Sequence, residues 1–192
     1  MIADAKLQCQ IERMAAVVFF RAVNVGGHQK FQPSKLAKAL TTFGVVNVGA
    51  AGTFVVRENI SPTKLRVEIL GRLPFEPELM ISPARELLEL AGAEPFQNAP
   101  IGKDVTRFVS VLQKMPGSLP QLPLTQPADG KWEVRLIAIT GKFVLSVRRP
   151  GPKDFYPNAV VEKQLGISAT TRNWNTIETI CRILRPPPGT KS

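Results

Sequence analysis

The sequence predicts an α+β protein of two subdomains. Three observations support this. Short apolar runs of strand length alternate with longer segments in which apolar residues recur every three or four positions. Residues 15–82 follow the order strand, helix, strand, strand, helix, strand, the order of a split β-α-β unit. The 192 residues are enough for two small cores. We therefore expect a ferredoxin-like N-terminal subdomain packed on a second, smaller α+β subdomain.

The first subdomain is predicted over residues 14–82, after an extension of residues 1–13 that we expect to be poorly ordered. Pro33 suits the first turn of a helix that Gly44 ends, and Ser61 before Pro62 is the expected N-cap of a second helix. The predicted strands are Ala15–Ala22, Val45–Val48, Thr53–Arg57 and Glu78–Ser82.

The second subdomain is predicted over residues 83–185, before a C-terminal tail of residues 186–192. Its helices are expected from Pro83, over Pro157–Leu165 and over Trp174–Leu184. Its strands are expected at Asp104–Gln113, Trp132–Thr140 and Lys142–Arg149. The proline-containing stretch from Pro116 to Gly130 shows no periodicity, and we expect a structureless loop there.

The charge is unevenly distributed along a basic chain of net charge +10. Residues 1–98 carry 11 basic and 9 acidic side chains, net +2, whereas residues 99–192 carry 14 and 6, net +8. A basic half attracts nucleic acid or other anions. The alternative is an ordinary solvated surface, because no run of basic residues stands out.

Other classes of protein are disfavoured by what the sequence lacks. Two distant cysteines, Cys9 and Cys181, do not make a disulfide scaffold, and a reducing cytoplasm is the expected location. No apolar run has the length of a membrane helix, so no membrane partner is expected. With His28 as the only histidine, we expect no metal and no cofactor. The oligomeric state is left open.

The most polar stretch is Thr170-Thr171-Arg172-Asn173-Trp174-Asn175-Thr176, directly before the last predicted helix. One interpretation is structural: Asn175 with Glu178 forms a capping box, or Asn173 caps instead, and the segment ties the subdomains together. The other is a binding site. Free N–H groups at a helix N-terminus and the Arg172 guanidinium suit a carboxylate or phosphate, and Thr171, Asn173, Trp174, Asn175 and Thr176 are further candidate ligand-binding residues.

A second polar cluster follows the first predicted strand, again before a helix. Gly26 and Gly27 permit close approach of the backbone to a ligand. The cluster matches neither a Rossmann fingerprint nor a phosphate-binding loop. The candidate ligand-binding residues here are Arg21, Asn24, Gly26, Gly27 and His28.

The motifs in these two clusters, with Phe155-Tyr156-Pro157-Asn158, Glu162-Lys163 and Leu165-Gly166, resemble the mostly bacterial family catalogued as domain of unknown function 1697. The resemblance covers about residues 14–185 and implies an α+β protein of ferredoxin-like character without an assigned activity. Two departures stand out. Ala22 and Val23 replace Gly-Ile in the opening motif, and Ala50-Ala51-Gly52-Thr53 replaces a Gln-Ser-Gly-Asn turn. The second implies an altered site, if that turn lines one in the family.

Three functions remain open from the sequence, beside a purely structural or interaction role. The first is a module that binds a small anionic ligand, a nucleotide or phosphate ester, and it expects Arg21 and Arg172 within roughly 10 Å in one pocket. The second is a nucleic-acid-binding protein that uses the basic half. The third is an enzyme in which Arg172 stabilises an oxyanion and His28 transfers a proton.

Overall fold

The computed structural model describes residues 15–21 and 32–185, and these form five α-helices and nine strands. The helices are α1 (Pro33–Ala39), α2 (Pro62–Leu70), α3 (Ala84–Gly92), α4 (Pro157–Leu165) and α5 (Trp174–Leu184). The strands are β1 (Ala16–Arg21), β2 (Val45–Asn47), β3 (Thr53–Val56), β4 (Glu78–Pro83), β5 (Thr106–Leu112), β6 (Leu124–Gln126), β7 (Val134–Thr140), β8 (Phe143–Arg148) and β9 (Ala169–Asn173).

The chain divides into two compact units. One contains the described residues up to Ala91 and from Glu178 onward, and the other is Gly92–Ile177. The two boundaries between the units therefore fall inside helices α3 and α5. The mixed helix and sheet content confirms the α+β class.

The first unit has a four-stranded antiparallel sheet in the order β2-β3-β1-β4. Alternate residues of β1, such as Val18 and Phe20, join the same core as Leu36 of α1 and Leu65 of α2. The ring of Phe20 meets that of Phe54 edge-on at 5.3 Å. Apolar residues recur at every second position in the strand and at every third or fourth position in the helices. One face of each element therefore packs into the same core.

The second unit has a five-stranded antiparallel sheet in the order β6-β7-β8-β5-β9. Its core combines Leu112, Leu136 and Val144 of the sheet with Val160 and Val161 of α4. Helix α4 begins with Pro157 in its first turn and ends at Gly166, whose φ of 62° is the left-handed conformation that favours glycine. The helix therefore lies over the face of the sheet that carries the even-numbered residues of β5.

The two sheets repeat one strand order. Matching β5, β7, β8 and β9 to β1, β2, β3 and β4 gives the same neighbours in both sheets. In each unit the last strand is an edge strand next to the first and passes directly into a helix, α3 or α5. The difference lies between the first two matched strands. The first unit has α1 there, whereas residues 113–133, all described, contain β6 and no helix.

Three local predictions are corrected by the structure. The stretch from Pro116 to Gly130 contains β6, which pairs with β7. Helix α3 begins at Ala84, because Pro83 still pairs with Ala16 in the sheet. The polar stretch before α5 is strand β9 up to Asn173, and α5 begins at Trp174, so Asn175 lies within the helix and is not its cap.

Candidate functional site

The β9–α5 junction places the predicted residues Thr171 to Thr176 at one end of the second sheet. Thr171, Arg172 and Asn173 lie on β9 and pair with Ser110, Val109 and Phe108 of β5. The Asn173 Oδ1 accepts hydrogen bonds from the Thr176 N–H and from the Thr176 hydroxyl, both at 2.9 Å. Asn173 is therefore the cap of α5.

Trp174 and Asn175 occupy the first positions of α5. The Trp174 indole meets the Phe96 ring edge-on, with ring centroids 5.0 Å apart. Phe96 is buried, so its ring is an apolar partner for the indole. Trp174 therefore has a packing role at the start of the helix.

Arg172 is buried, with 7% of its surface exposed. Its Nη1 donates to the Thr170 hydroxyl at 2.7 Å and to the Thr171 carbonyl at 2.9 Å. Burial lowers the pKa of the guanidinium to about 10 because the charged form loses hydration. These contacts fit the structural interpretation of the segment.

A hydrogen-bond chain joins β9 to the start of α4. The Thr171 hydroxyl donates to Asn158 Oδ1 at 2.9 Å and lies 2.6 Å from the Ser110 hydroxyl. Beside it, the Phe108 and Tyr156 rings lie 5.9 Å apart, and Phe108 pairs with Asn173 across the sheet. Two motifs that are separate in sequence, Phe155–Asn158 and Thr170–Thr176, therefore meet within this unit.

The N-terminus of α4 has no side-chain cap. Tyr156 occupies the cap position, and its side chain makes no capping hydrogen bond. Its ring is half-exposed and lies under the Arg148 guanidinium at 5.0 Å. Arg148 also donates to the Phe155 carbonyl at 2.8 Å and pairs with Asp154. The first N–H groups of α4 are therefore left for a ligand or water.

Buried Glu133 holds the segment that leads into α4. Its two carboxylate oxygens accept the Lys153 and Phe155 backbone N–H groups, at 2.9 and 3.0 Å. Burial alone would raise the pKa of Glu133, but these hydrogen bonds, with Arg148 and Lys153 nearby, hold it below its ordinary value. A Cβ at Gly151 would overlap this carboxylate, so the position requires glycine.

The other predicted cluster is only partly described. Arg21 pairs with Glu78 across the sheet, Nη1 to Oε2 at 3.1 Å, so a carboxylate already faces its charge. Asn24, Gly26, Gly27 and His28 lie outside the described residues. Arg21 and Arg172 belong to different units, and their meeting in one pocket stays a prediction.

Three further observations concern metal-ligating groups, the thiol of Cys181 and membrane spans among the residues that the structure describes. Within 15–21 and 32–185, no group of three or more His, Cys, Asp or Glu side chains is arranged to hold a metal ion. Burial raises the pKa of the Cys181 thiol, which faces the Leu87 carbonyl at 3.9 Å. No helix in these ranges is long and apolar enough to cross a membrane.

Sequence reasoning did not select Tyr156, Asn158, Arg148 or Glu133 as site residues. The available signal was the Phe155–Asn158 motif, in which a polar residue follows a proline that starts a helix. Nothing in the local sequence reveals that Thr171 bonds to Asn158, because strand pairing with β5 brings the two elements together.

The comparisons with known proteins agree with this fold. A solved structure described as that of conserved bacterial protein SP0830 from Streptococcus pneumoniae is 20% identical, covers 89% of this chain and 98% of its own, and superposes with a TM-score of 0.51. At that identity the likeness shows a shared fold. No curated protein matches the sequence. The model of the family described as "Protein of unknown function (DUF1697)" matches residues 14–138, and the chain therefore belongs to this family.

Proposed function

We propose that the protein is a binding module for a small anionic ligand, a nucleotide or phosphate ester. The site would lie where the N-terminus of α4 meets the end of β9. We define this junction site by Tyr156, Asn158, Thr171 and Asn173. The observation that carries the proposal is the hydrogen bond from Thr171 to Asn158, which joins the two polar motifs beside an uncapped helix N-terminus.

The chemistry of the junction site favours an anion. The first N–H groups of a helix and its dipole attract negative charge. Because Asn158 Oδ1 accepts from Thr171, its side-chain NH2 group is left as a donor. Neither that group nor the Tyr156 hydroxyl has a hydrogen-bond partner among residues 15–21 and 32–185. The site thus offers several donors and few acceptors.

The remaining predicted residues enter the proposal in supporting roles. Arg172 would hold β9 in place from within the unit, through the Thr170 hydroxyl and the Thr171 carbonyl. Trp174, Asn175 and Thr176 would fix the start of α5. The first cluster, Arg21 with Asn24, Gly26, Gly27 and His28, would be a second part of the ligand site, as the sequence predicts.

We also assign the first unit to the ferredoxin-like type. The order strand, helix, strand, strand, helix, strand and the sheet order β2-β3-β1-β4 support this assignment. The same sheet order in the second unit supports a related arrangement there, with β6 added at the edge. A subdomain boundary between residues 82 and 83 is kept as part of this proposal.

The nucleic-acid alternative rests on the net charge of +8 in residues 99–192. A complex held by that charge would weaken steeply with salt, because binding releases counterions from the phosphate backbone. The enzyme alternative needs Arg172 at an oxyanion, yet its Nη1 already donates two hydrogen bonds within the fold. Ligand binding at low and at moderate salt distinguishes the three functions.

A thermal-shift panel of AMP, phenyl phosphate, acetate and a short oligonucleotide, at low and moderate salt, tests the proposal. A ligand at about 100 times its dissociation constant adds ~2.7 kcal/mol of stability. We expect a shift with AMP or phenyl phosphate that Asn158→Asp abolishes. This variant keeps the acceptor for Thr171 and repels an anion, and its aspartate is favourable at a helix N-terminus.

The matched control is Gln121→Glu, which adds the same charge at an exposed position of the same unit. Tyr156→Phe removes only the hydroxyl and keeps the ring against Phe108. An equal shift in Asn158→Asp and wild type would contradict the junction site. A shift with the oligonucleotide alone, lost in salt, would replace it by the nucleic-acid function.

A further inference from the structure

The second unit contains a cavity of about 340 Å³ between β7 and the turns that follow α3. It shares no residue with the junction site. Its wall is mostly apolar, made of proline, alanine and isoleucine side chains, with a few polar groups among them. The wall includes Glu94, Gln97, Asn98, Pro123, Arg135 and Ile137.

Arg135 is the one wall residue with a positive charge, and no carboxylate of the described residues pairs with it. Its guanidinium lies over the Trp132 ring at 4.9 Å. Across the described ranges it makes no hydrogen bond and no ion pair, and its Nε is buried without a partner. A buried N–H group normally has a partner, so the Arg135 side chain is short of hydrogen-bond acceptors, and a ligand in the cavity that it lines would supply them.

The wall facing β7 is a pair of consecutive turns. The Gln97 N–H donates to the Glu94 carbonyl and the Ala99 N–H to the Phe96 carbonyl, both at 3.0 Å. Phe96 is buried and anchors the turns on the Trp174 ring. Glu94 has a φ of 46°, a left-handed conformation that is costly for this residue type and that commonly follows the end of a helix, here α3.

A β-bulge forms the opposite wall. The pairing of β7 with β8 passes from Leu136–Ser146 to Ala138–Leu145, so Ile137 is the extra residue. Bulges redirect side chains and are frequent beside binding sites. The bulged residue and Arg135 line the same cavity, which places an apolar surface beside a guanidinium that makes no ion pair within the described ranges.

We propose that this cavity binds a small monocarboxylate with an apolar body. The guanidinium fork matches the two oxygens of a carboxylate. The Pro123 and Ile137 side chains would contact the apolar part, and the volume is at the lower end of the range for small-molecule sites. Glu94 adds a negative charge to the wall and disfavours a dianion such as a phosphate monoester.

The carboxylate has two possible sources, a free organic acid or the C-terminus of a peptide. The test therefore uses 3-phenylpropionate and acetyl-Gly-Phe, each beside its carboxamide. Binding to the full chain is followed by saturation-transfer NMR on the aromatic protons of each ligand, which needs no substitution at Trp132 or Trp174, the two tryptophans of the chain. Tighter binding of one acid than of the other identifies the source.

We expect at least one acid to bind at millimolar concentration or below and its carboxamide to bind about tenfold more weakly or not at all. Arg135→Gln should weaken binding of the acid by about tenfold. Arg135→Lys keeps the charge but loses the paired N–H donors of the guanidinium. Its affinity for the acid should therefore lie between those of wild type and Arg135→Gln. The control Arg85→Gln loses an equal charge from an exposed arginine of the other unit that does not line the cavity, and it should bind as wild type does.

Two results would overturn the proposal. One is the absence of binding by both acids, and the other is equal affinity in Arg135→Gln and wild type. If circular dichroism shows that Arg135→Gln does not fold, two other comparisons test the proposal: the affinity of Arg135→Lys for the acid, and the affinities of wild type for each acid and its carboxamide. Asn158→Asp should leave carboxylate binding in this cavity unchanged. A failure of the carboxylate proposal can therefore be distinguished from a failure of the junction-site proposal.

Discussion

At the scale of single residues, Arg172 shows how one side chain supports two interpretations until its burial is known. The sequence places a guanidinium beside hydroxyl and amide groups, which suits either a ligand or a structural tie. The structure buries Arg172 and directs its Nη1 to Thr170 and to the Thr171 carbonyl. Burial of a charge is costly unless hydrogen bonds compensate for it.

We predict that Arg172→Ala lowers the free energy of unfolding by about 3 kcal/mol, because it leaves buried acceptors without their charged donor. Arg107→Ala, at an exposed arginine that only stacks on Phe96, should cost about 1 kcal/mol or less. Urea denaturation of both variants measures the difference. If both variants lose a similar, small amount of unfolding free energy, Arg172 is not needed to hold the fold, and a role in ligand binding is favoured.

Glu133 leads to a prediction on pH. Its pKa is below the ordinary value in the folded state, so the folded state binds protons less readily than the unfolded chain. The stabilisation from this carboxylate is therefore complete above the unfolded pKa. It is lost as the pH falls through the folded pKa.

Glu133→Gln should therefore be less stable than wild type at pH 7, because one backbone N–H of Lys153 or Phe155 would face an amide NH2. The difference in stability between wild type and Glu133→Gln should narrow as the pH falls below 4.5, the ordinary pKa of the carboxyl group. Thermal melts of both proteins from neutral to acidic pH measure it. A gap that stays constant across the series would show that the carboxylate charge is not the source of the stabilisation.

At the scale of elements, local signals predicted the five helices and missed two edge strands, β6 and β9. Helices α4 and α5 have the predicted bounds, since Pro157 fixes the start of α4 and Gly166 its end. Strand β9 was not predicted, because Thr170 to Asn173 are polar and form a strand only through pairing with β5. The candidate site was predictable to the same extent: the motifs were visible, but their contact through Asn158 was not.

The cap of α5 gives the prediction at this scale. Asn173→Ala should cost about 1 kcal/mol, because the Thr176 N–H loses its acceptor. Asn173→Asp keeps an acceptor oxygen and adds a charge that suits a helix N-terminus, so it should cost much less. Chemical denaturation separates the two. Similar losses in both variants would mean that Asn173 acts through its amide NH2 and not as a cap.

At the scale of the whole molecule, the two units repeat a strand order that the sequence did not reveal. Side chains in matching strands differ, as in Ser82 of β4 and Arg172 of β9, each one residue before the last of its strand. The strand order depends on pairing between distant segments, and many side-chain sets satisfy one alternating pattern. The sequence therefore predicted the element types, and the repetition required the pairing.

The chain also links the units through its helices, because α5 starts in Gly92–Ile177 and ends in the other unit. Ile180, fully buried in the part beyond Ile177, tests whether this link makes unfolding cooperative. Ile180→Ala should cost about 3 kcal/mol. Both tryptophans, Trp132 and Trp174, lie in the other unit, so their fluorescence reports the unit that does not contain the substitution.

If the shared helix couples the units, the fluorescence and far-ultraviolet circular dichroism transitions of Ile180→Ala should coincide and shift together. Leu136→Ala, in the core of the tryptophan-containing unit, is the reciprocal control and should also give coincident transitions. An Ile180→Ala circular dichroism change that precedes an unshifted fluorescence transition would show independent unfolding. Because α5 cannot lose its second half without fraying the Trp174 end, we expect one transition.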